Sequence, residues 1–421
     1  MSPKILLAIT GGIAAYKSAM LARLLIKANC QVRVVMTPSA CAFITPLTLQ
    51  ALTGNEVHTQ LLDEHAERGM GHIELAKWAD VLVIAPASAN TIGKLAHGLA
   101  DNLLTAVCLA TPAPILCAPA MNQQMWTNPI VQDNLAKLQR FGYQLIYPDS
   151  GEQACGDVGA GRLPEPESLC EQILGFIARA RTPQILANKT VVITAGATLE
   201  PIDPVRFLSN HSTGKMGFAL ASACWQAGAT VILIAGKSVH LSTPNGITRH
   251  NVASANDMLN VCQSVMTNDP NTIFIATAAV ADYRAATIAT QKIKKTANSD
   301  GLTLQLLKNP DILATISKQF PKALMVGFAA ETQDSDNYAK NKLISKNLDM
   351  IACNDVSDSS IGFGSDDNAM TVFFADSYQQ APIALAKDSK TNIAKHLVAC
   401  IGHLLSYQPT QDDDNQAAFD A

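Results

Sequence analysis

Short apolar runs alternate with segments of helical period along the whole chain. In the first half, residues 5–9, 32–36, 81–85, 115–118 and 144–147 read as buried strands. Between the first two, residues 16–28 place Leu21, Leu24 and Leu25 on one helix face, with Lys17, Arg23 and Lys27 opposite. Such alternation predicts a parallel sheet covered on both faces. The pattern lapses over 179–188 and resumes at Lys189-Thr-Val-Val-Ile-Thr. The second series predicts strands at 191–194, 231–235, 273–277, 324–327 and 350–352, with helices at 216–227, 312–318 and 338–346. We therefore expect a first domain at 1–182, a linker at 183–188, a second domain at 189–406, and a polar, acidic, disordered tail at 407–421.

Composition agrees with two cores. The 421 residues are 48% hydrophobic and 16% charged, and the net charge is -4. A slightly acidic chain has no global electrostatic reason to hold nucleic acid or an anionic membrane. Any nucleotide must be held by local geometry. Ten cysteines are present, but none lies within four residues of another, so neither a CxxC zinc pair nor a redox pair exists. His72-Ile73-Glu74 lacks the Pro-Cys-x-x-Cys partner of a zinc deaminase. Dispersed cysteines in apolar runs point to a reducing cytoplasm. The apolar N-terminus is broken by Gly11-Gly12, and the uncharged stretch 102–132 carries Pro112, Pro114, Pro119 and Pro129, which exclude a membrane helix there. A soluble cytoplasmic protein is expected.

Gly11-Gly12 follows the first strand and opens the first helix, where bare backbone N–H groups can approach a phosphate. The third glycine of GxGxxG is absent, which favours a mononucleotide over a dinucleotide. Thr37-Pro38-Ser39 and Pro86-Ala-Ser88-Ala-Asn90-Thr91 follow the next strands, at the sheet end where open α/β folds bind ligands. Singly, the glycine pair could be a tight turn, and Ser, Thr and Asn could be helix caps. Three motifs carry more. Gly71-His72-Ile-Glu-Leu precedes the third strand, Pro119-Ala-Met-Asn122-Gln-Gln-Met-Trp126 follows the fourth, and Gly151-Glu-Gln-Ala-Cys155-Gly-Asp157 sits in a glycine-rich loop after the fifth. Cys155 is unusual in lying in a polar loop rather than an apolar run.

TGGIAAYK, FITPLTLQ, GHIELAKWAD, PASANT, PAMNQQMW and QACGD together resemble the flavin-containing cysteine decarboxylases, in the phosphopantothenoylcysteine decarboxylase branch, from about residue 5 to 162. The resemblance implies an FMN-bound homotrimeric unit with active sites between subunits. It assigns FMN to Gly11, Gly12, Ile13, Thr37, Ser39, Ser88 and Asn90. By the same match His72 acts as base, Asn122 holds the substrate carboxylate, and Cys155 donates a proton late in the cycle. The residue types suit that chemistry. FMN can oxidise the thiol side of the substrate and so provide a sink for the electrons released with CO2. Imidazole suits deprotonation of a thiol. A neutral amide holds the carboxylate without stabilising it so strongly that CO2 loss is opposed.

The second half offers Ala195-Gly-Ala197-Thr198 through Arg206, Asn210 and Thr213-Gly-Lys215, which do not satisfy the P-loop pattern. Further on come Ala276-Thr277-Ala278 to Asp282, Lys292-Ile-Lys-Lys, Lys308-Asn309-Pro310-Asp311-Ile312, Phe328, and Lys342 with Lys346 one helical turn apart. Lysines are usually solvated surface groups, but here they cluster just after strands, as a polyphosphate site would require. These motifs resemble the phosphopantothenate–cysteine ligase domain, from about 189 to 405, in its bacterial CTP-using branch. The resemblance implies that CTP with Mg2+ activates the carboxylate of 4'-phosphopantothenate as an acyl-cytidylate, from which the cysteine amine displaces CMP. It gives Asn210 the acyl-cytidylate and Lys292 the reacting phosphate. Ala276–Ala278, Asp282, Lys292, Asn309–Ile312, Phe328, Lys342 and Lys346 would line the CTP site, and Asp282 is a candidate for the metal. CTP rather than ATP rests on the resemblance alone. Ala197 departs from the family's usual proline. The implied fold is α/β, in two doubly wound domains: an N-terminal flavodoxin-like FMN-binding domain and a C-terminal Rossmann-like ligase domain. The implied assembly is a homo-oligomer of trimeric decarboxylase units and dimeric ligase domains, which together could build a dodecamer. A flavin prenyltransferase, a peptide-cysteine decarboxylase and a regulatory binding subunit are the rivals on the same fold.

Overall fold

Strand β1 (Lys4–Ile9) is the centre of the first sheet, with β2 (Gln31–Met36) and then β3 (Val57–His58) on one side. On the other side lie β4 (Val81–Ala87), β5 (Ile115–Pro119) and β6 (Gln144–Leu145), and every pair is parallel. Setting aside the two-residue edge β3, the order is the doubly wound flavodoxin order. Alternate residues of β1 face opposite layers. Ile5, Leu7 and Ile9 pack with Leu21, Leu25 and Ile173, whereas Leu6 and Ala8 pack with Ile92, Leu135 and Leu138. That is why these central strands read as unbroken apolar runs. The computed structural model describes residues 2–62, 71–244, 246–294, 302–331, 335–355, 362 and 364–407, so all of the expected tail but Tyr407 lies outside the described residues. The chain divides into two compact units, Met1–Ala178 and Arg179–Ala421. Among the described residues, no helix is long and apolar enough to cross a membrane.

Three expectations in the first unit need correction. The strand expected at 144–147 ends at Leu145, and the supposed glycine-rich loop is a hairpin of β7 (Asp149–Glu152) and β8 (Val158–Arg162). Gly161 lets this hairpin lie against the 121–123 segment: its φ is +126° and an added Cβ would stand 2.3 Å from the Met121 carbonyl oxygen. Lys17, expected on the polar face of the helix Ala15–Lys27, is buried. Its ammonium is satisfied by the Leu163 carbonyl at 2.8 Å and by Glu165 Oε1 at 3.0 Å. A lysine stem can be buried when its head finds such partners.

The second sheet runs β13 (Ile247–Val252), β12 (Thr230–Gly236), β9 (Thr190–Ala195), β14 (Thr272–Ala276), β17 (Leu324–Glu331), β18 (Met350–Asp355), β19 (Asp367–Phe374) and β20 (Ile383–Ser389). It is parallel from β13 to β18, and the last two strands are antiparallel. Two small antiparallel ribbons stand apart from it: β10 (Glu200–Pro201) with β11 (Phe207–Leu208), and β15 (Tyr283–Ala285) with β16 (Leu306–Lys308). The helix Lys215–Gln226 covers β9 and packs through Leu220, Ala221 and Cys224 against Ile393, Leu397 and Ile401 of the helix Lys390–Ser406. Leu186, in the expected linker, is fully buried in this same core.

Candidate active sites

In the first unit, the β1 and β4 strand ends are tied together by one hydroxyl. Thr10 Oγ1 donates to the Pro86 carbonyl at 2.7 Å and accepts from the Ser88 N–H at 2.9 Å. Gly11 packs on Ser39, and a Cβ there would stand 2.4 Å from the Ser39 Cβ. Gly12 has open space where its Cβ would be, and Ile13 is exposed. Thr37 and Ser88 do cap helices, accepting from the Ala40 and Thr91 N–H groups, and Asn90 is exposed in the first turn of the helix Ala89–Ala96. No side chain caps the helix that Gly11–Ile13 lead into. The helix starts at the β1/β4 switch point, where the Ala15 and Lys17 N–H groups donate to the Gly12 and Ala14 carbonyls at 3.0 and 3.1 Å.

PAMNQQMW and QACGD, some thirty residues apart, meet in the folded unit. Asn122 Oδ1 caps the helix Gln123–Thr127 through the Gln124 N–H at 2.8 Å, which turns Nδ2 towards the hairpin tip. Asn122 Nδ2 donates to Asp157 Oδ2 at 2.8 Å and reaches Cys155 Sγ at 3.4 Å. The tip is held by Gln153, which accepts from the Gln123 N–H at 3.0 Å and donates to the Met121 carbonyl at 3.2 Å. Cys155 is exposed, unlike Cys117 and Cys170, whose burial pushes their thiols up to about 12 and about 11. His72 lies half-buried in the first turn of the helix Gly71–Trp78 and makes no hydrogen bond to Asn122 or Cys155.

In the second unit, a cavity of about 680 Å³ opens at the carboxyl ends of β9, β14 and β17. Ala276, Thr277, Ala278, Asp282, Asn309, Pro310, Asp311, Ile312, Phe328, Lys342 and Lys346 all line it. The 276–282 loop is held by its neighbours. Thr277 Oγ1 donates to the Thr194 carbonyl, Thr198 Oγ1 accepts the Ala281 N–H at 3.1 Å, and Asn309 Nδ2 donates to the Ala281 carbonyl at 2.7 Å. Ala197 bridges to Ala279. Asn210 is not among the lining residues but bonds to two of them, donating to the Ala279 carbonyl and accepting the Ser212 N–H.

Charge at this cavity is mostly positive. Burial opposes ionisation of Asp311, but the Ala314 N–H and Lys346 (2.8 Å) outweigh it and hold the carboxyl below its ordinary range. Lys215 pairs with Asp366 at 2.6 Å. Burial and then the neighbouring Lys215 lower the buried Lys390, whose ammonium rests on the Gly362 and Ser365 carbonyls. Lys292 is not among the lining residues and is exposed. Its neighbour Ile293 is pinned instead: the Ile293 N–H donates to Asp203 Oδ2 at 3.1 Å and its carbonyl accepts from Arg206 at 3.0 Å. Among the described residues, no cluster of three His, Cys, Asp or Glu could hold a metal ion; Asp282 and Asp311 are the carboxylates that line the cavity.

The flavoprotein family model matches residues 1–178, and that of the DNA/pantothenate metabolism flavoprotein C-terminal domain matches 186–404. The coenzyme A biosynthesis bifunctional protein CoaBC of Vibrio cholerae is 51% identical over 396 residues, which is 94% of this chain and 97% of that one. The Escherichia coli protein of the same name is 47% identical over 382 residues, 90% of this chain and 93% of that one. A solved C-terminal domain of a CoaBC protein is 36% identical and covers 53% of this chain and 98% of its own, with a TM-score of 0.44. The chain belongs to the CoaBC family.

A CoaBC protein is a bifunctional enzyme of coenzyme A biosynthesis, with phosphopantothenoylcysteine decarboxylase and phosphopantothenate–cysteine ligase activities. Flavoprotein and ligase halves follow one another as the motifs anticipate, and the rivals on the same fold fall away. Sequence reasoning missed Thr194, Asn354, Asn368 and Lys390 in the lining of the CoaBC ligase cavity. Thr194 reads only as the end of an apolar strand. Lys390 looks like any helix-start lysine, and only its burial sets it apart.

Proposed function

We propose that residues 1–182 form an FMN-dependent decarboxylase and 189–406 a CTP-dependent ligase, acting in the order ligase then decarboxylase. The observation that carries the first half is the meeting of the Asn122 amide and the Cys155 thiol, 3.4 Å apart, in the unit whose first helix has an N-terminus that no side chain caps. That terminus, the open side of Gly12 and the Thr37, Ser39, Ser88 and Asn90 loops fit the phosphate and ribityl chain of FMN. When bound, FMN supplies the two-electron oxidation that makes the cysteine carboxylate able to leave as CO2, and returns the electrons afterwards. His72 takes the substrate thiol proton. Asn122 Nδ2 donates to the carboxylate, and Cys155 Sγ gives its proton to carbon once CO2 has gone.

In the ligase half, the helix Lys215–Gln226 presents an N-terminus without a side-chain cap to the cavity, flanked by Lys215, Lys308, Lys342 and Lys346. This suits the triphosphate of CTP. Mg2+ would ride on the nucleotide phosphates, with Asp282, a carboxylate of the lining, as its candidate protein ligand. Asn210 stabilises the acyl-cytidylate and Lys292 neutralises charge at the reacting phosphate. Cysteine then displaces CMP. Trimeric decarboxylase units and dimeric ligase domains in the cytoplasm complete the proposal. The test is Cys155→Ser in the FMN-loaded protein. CO2 should still be released from phosphopantothenoylcysteine, and the oxidised enethiol product should accumulate. Turnover to phosphopantetheine at the parental rate would remove Cys155 as proton donor.

A further inference from the structure

Asp157 has no role in the reaction as derived so far, yet its carboxylate stands in the middle of the decarboxylase site. A single oxygen, Oδ2, accepts from Asn122 Nδ2 at 2.8 Å and from the Cys155 thiol at 3.5 Å. The hairpin does not need that side chain for its shape. Its tip is closed by backbone bonds, Gln153 N–H to the Asp157 carbonyl at 2.8 Å and Gly156 N–H to the Gln153 carbonyl at 2.9 Å. The Gln153 side chain fastens it to Met121 and Gln123. Asn122 in turn is fixed, because Oδ1 is engaged by the Gln124 N–H, so the two N–H groups of Nδ2 are turned to the hairpin tip, where Asp157 Oδ2 at 2.8 Å is nearer than Cys155 Sγ or Gln153 Oε1, each at 3.4 Å.

Resting on the reading that Asn122 holds the substrate carboxylate, we propose that Asp157 is a specificity-determining residue whose carboxylate keeps the place of the substrate carboxylate on Asn122. The bond between a neutral amide and a carboxylate is charge-assisted, so only another carboxylate replaces it on equal terms. The amide has a second N–H, but a substrate carboxylate on it would stand within a few ångströms of Asp157 Oδ2, and two carboxylates that close repel each other. Phosphopantothenoylcysteine carries the group that displaces Asp157. The decarboxylated product does not, so Asp157 returns to Asn122 once CO2 is lost, and the product gains nothing from that amide. The arrangement lowers substrate affinity while favouring product release.

The sign of the effect separates this from a structural contact. The test uses the full-length, FMN-loaded protein and two probes that cannot react for want of a thiol: phosphopantothenoyl-alanine, which has the carboxylate, and its ethylamide counterpart, which lacks it. Binding is read from the perturbation of flavin absorbance. Asp157→Ala should bind the alanine probe tighter, by on the order of tenfold, with the ethylamide probe within about twofold of the parent. Asp157→Asn, still able to accept from Asn122 but uncharged, should move the same way by less, and it decides the matter if the alanine variant loses its flavin. Weaker or unchanged binding of the alanine probe in a flavin-loaded variant would overturn the proposal and make Asp157 a brace. Asn122→Ala tests the underlying reading separately. It should abolish the parent's preference between the two probes, and a preference kept intact would show that Asn122 is not the carboxylate holder.

Discussion

Gly217→Ala sets two effects of opposite sign against each other in the ligase half. In the first turn of the helix Lys215–Gln226, alanine should gain about 1 kcal/mol over glycine from helix propensity. Its new Cβ, however, would stand 2.5 Å from the Ala195 Cβ, 2.6 Å from Thr277 Oγ1 and 3.2 Å from the Ala195 Cα. Contact distances between such atoms are near 3.5–4 Å, so about 1 Å must be found. Nothing there can swing away, since Ala195 is strand and the Thr277 hydroxyl is committed to the Thr194 carbonyl. Overpacking against unyielding neighbours costs about 1–3 kcal/mol. The net is a loss of up to about 2 kcal/mol, lowering the Tm of the second unit by up to about 8 °C. The shift lifts the helix N-terminus away from the cavity it lines, and a displacement of about 1 Å can cost up to a hundredfold in rate. Pyrophosphate release from CTP with phosphopantothenate should therefore fall at least about tenfold. Decarboxylation by the same sample should hold and serves as the internal control. A raised Tm with an intact ligase would mean that the helix is not seated as tightly as the geometry implies.

Three further outcomes are expected. Lys292→Gln should lower ligase turnover by on the order of 3 kcal/mol if it meets the reacting phosphate, read as pyrophosphate release; near-normal release would return this exposed lysine to the solvent. Arg206 foremost, then the Val205, Ile293 and Arg206 N–H groups, hold the Asp203 carboxyl below its ordinary range, so the stability it contributes is present above the unfolded value near 4 and fades as pH falls through the folded one. The Tm deficit of Asp203→Asn, followed from pH 7 to 3, should accordingly shrink in acid, and a deficit that grows would reverse the assignment. Residues 1–182 and 183–421 should each express as cooperatively unfolding proteins; starting the second at 187 should cost about 1.5–3 kcal/mol through loss of the buried Leu186, and equal Tm values would contradict that.

How much of this was readable beforehand depends on what each segment is exposed to. Central strands such as Lys4–Ile9 and Val81–Ala87 are covered on both faces, so burial writes itself into consecutive apolar residues. Edge strands carry no such mark. Ile247–Val252 is Ile-Thr-Arg-His-Asn-Val, and Ile383–Ser389 ends in Lys-Asp-Ser, because one side of each meets solvent. The hairpin at 149–162 was hidden for a different reason. Gly159 and Gly161 read as loop, yet they are small because Gln123 and the Met121 carbonyl lie against them. The site shows the same division. Thr37, Ser88 and Asn122 are visible as motif residues, and each caps a helix as well, so the local signal for a cap and for a ligand is one and the same. What separates the two is the partner across the fold. Asn122 caps with Oδ1 and has Nδ2 left for Asp157 and Cys155, more than thirty residues away, whereas no second contact of this kind sets Lys292 above the other lysines of its run. Spacing along the chain cannot encode that meeting, because it is made by β8 returning to Met121 through the Gly161 carbonyl, a tertiary bond with no local period. A motif therefore names the groups, and the hairpin decides which of their hydrogen bonds remain for a substrate.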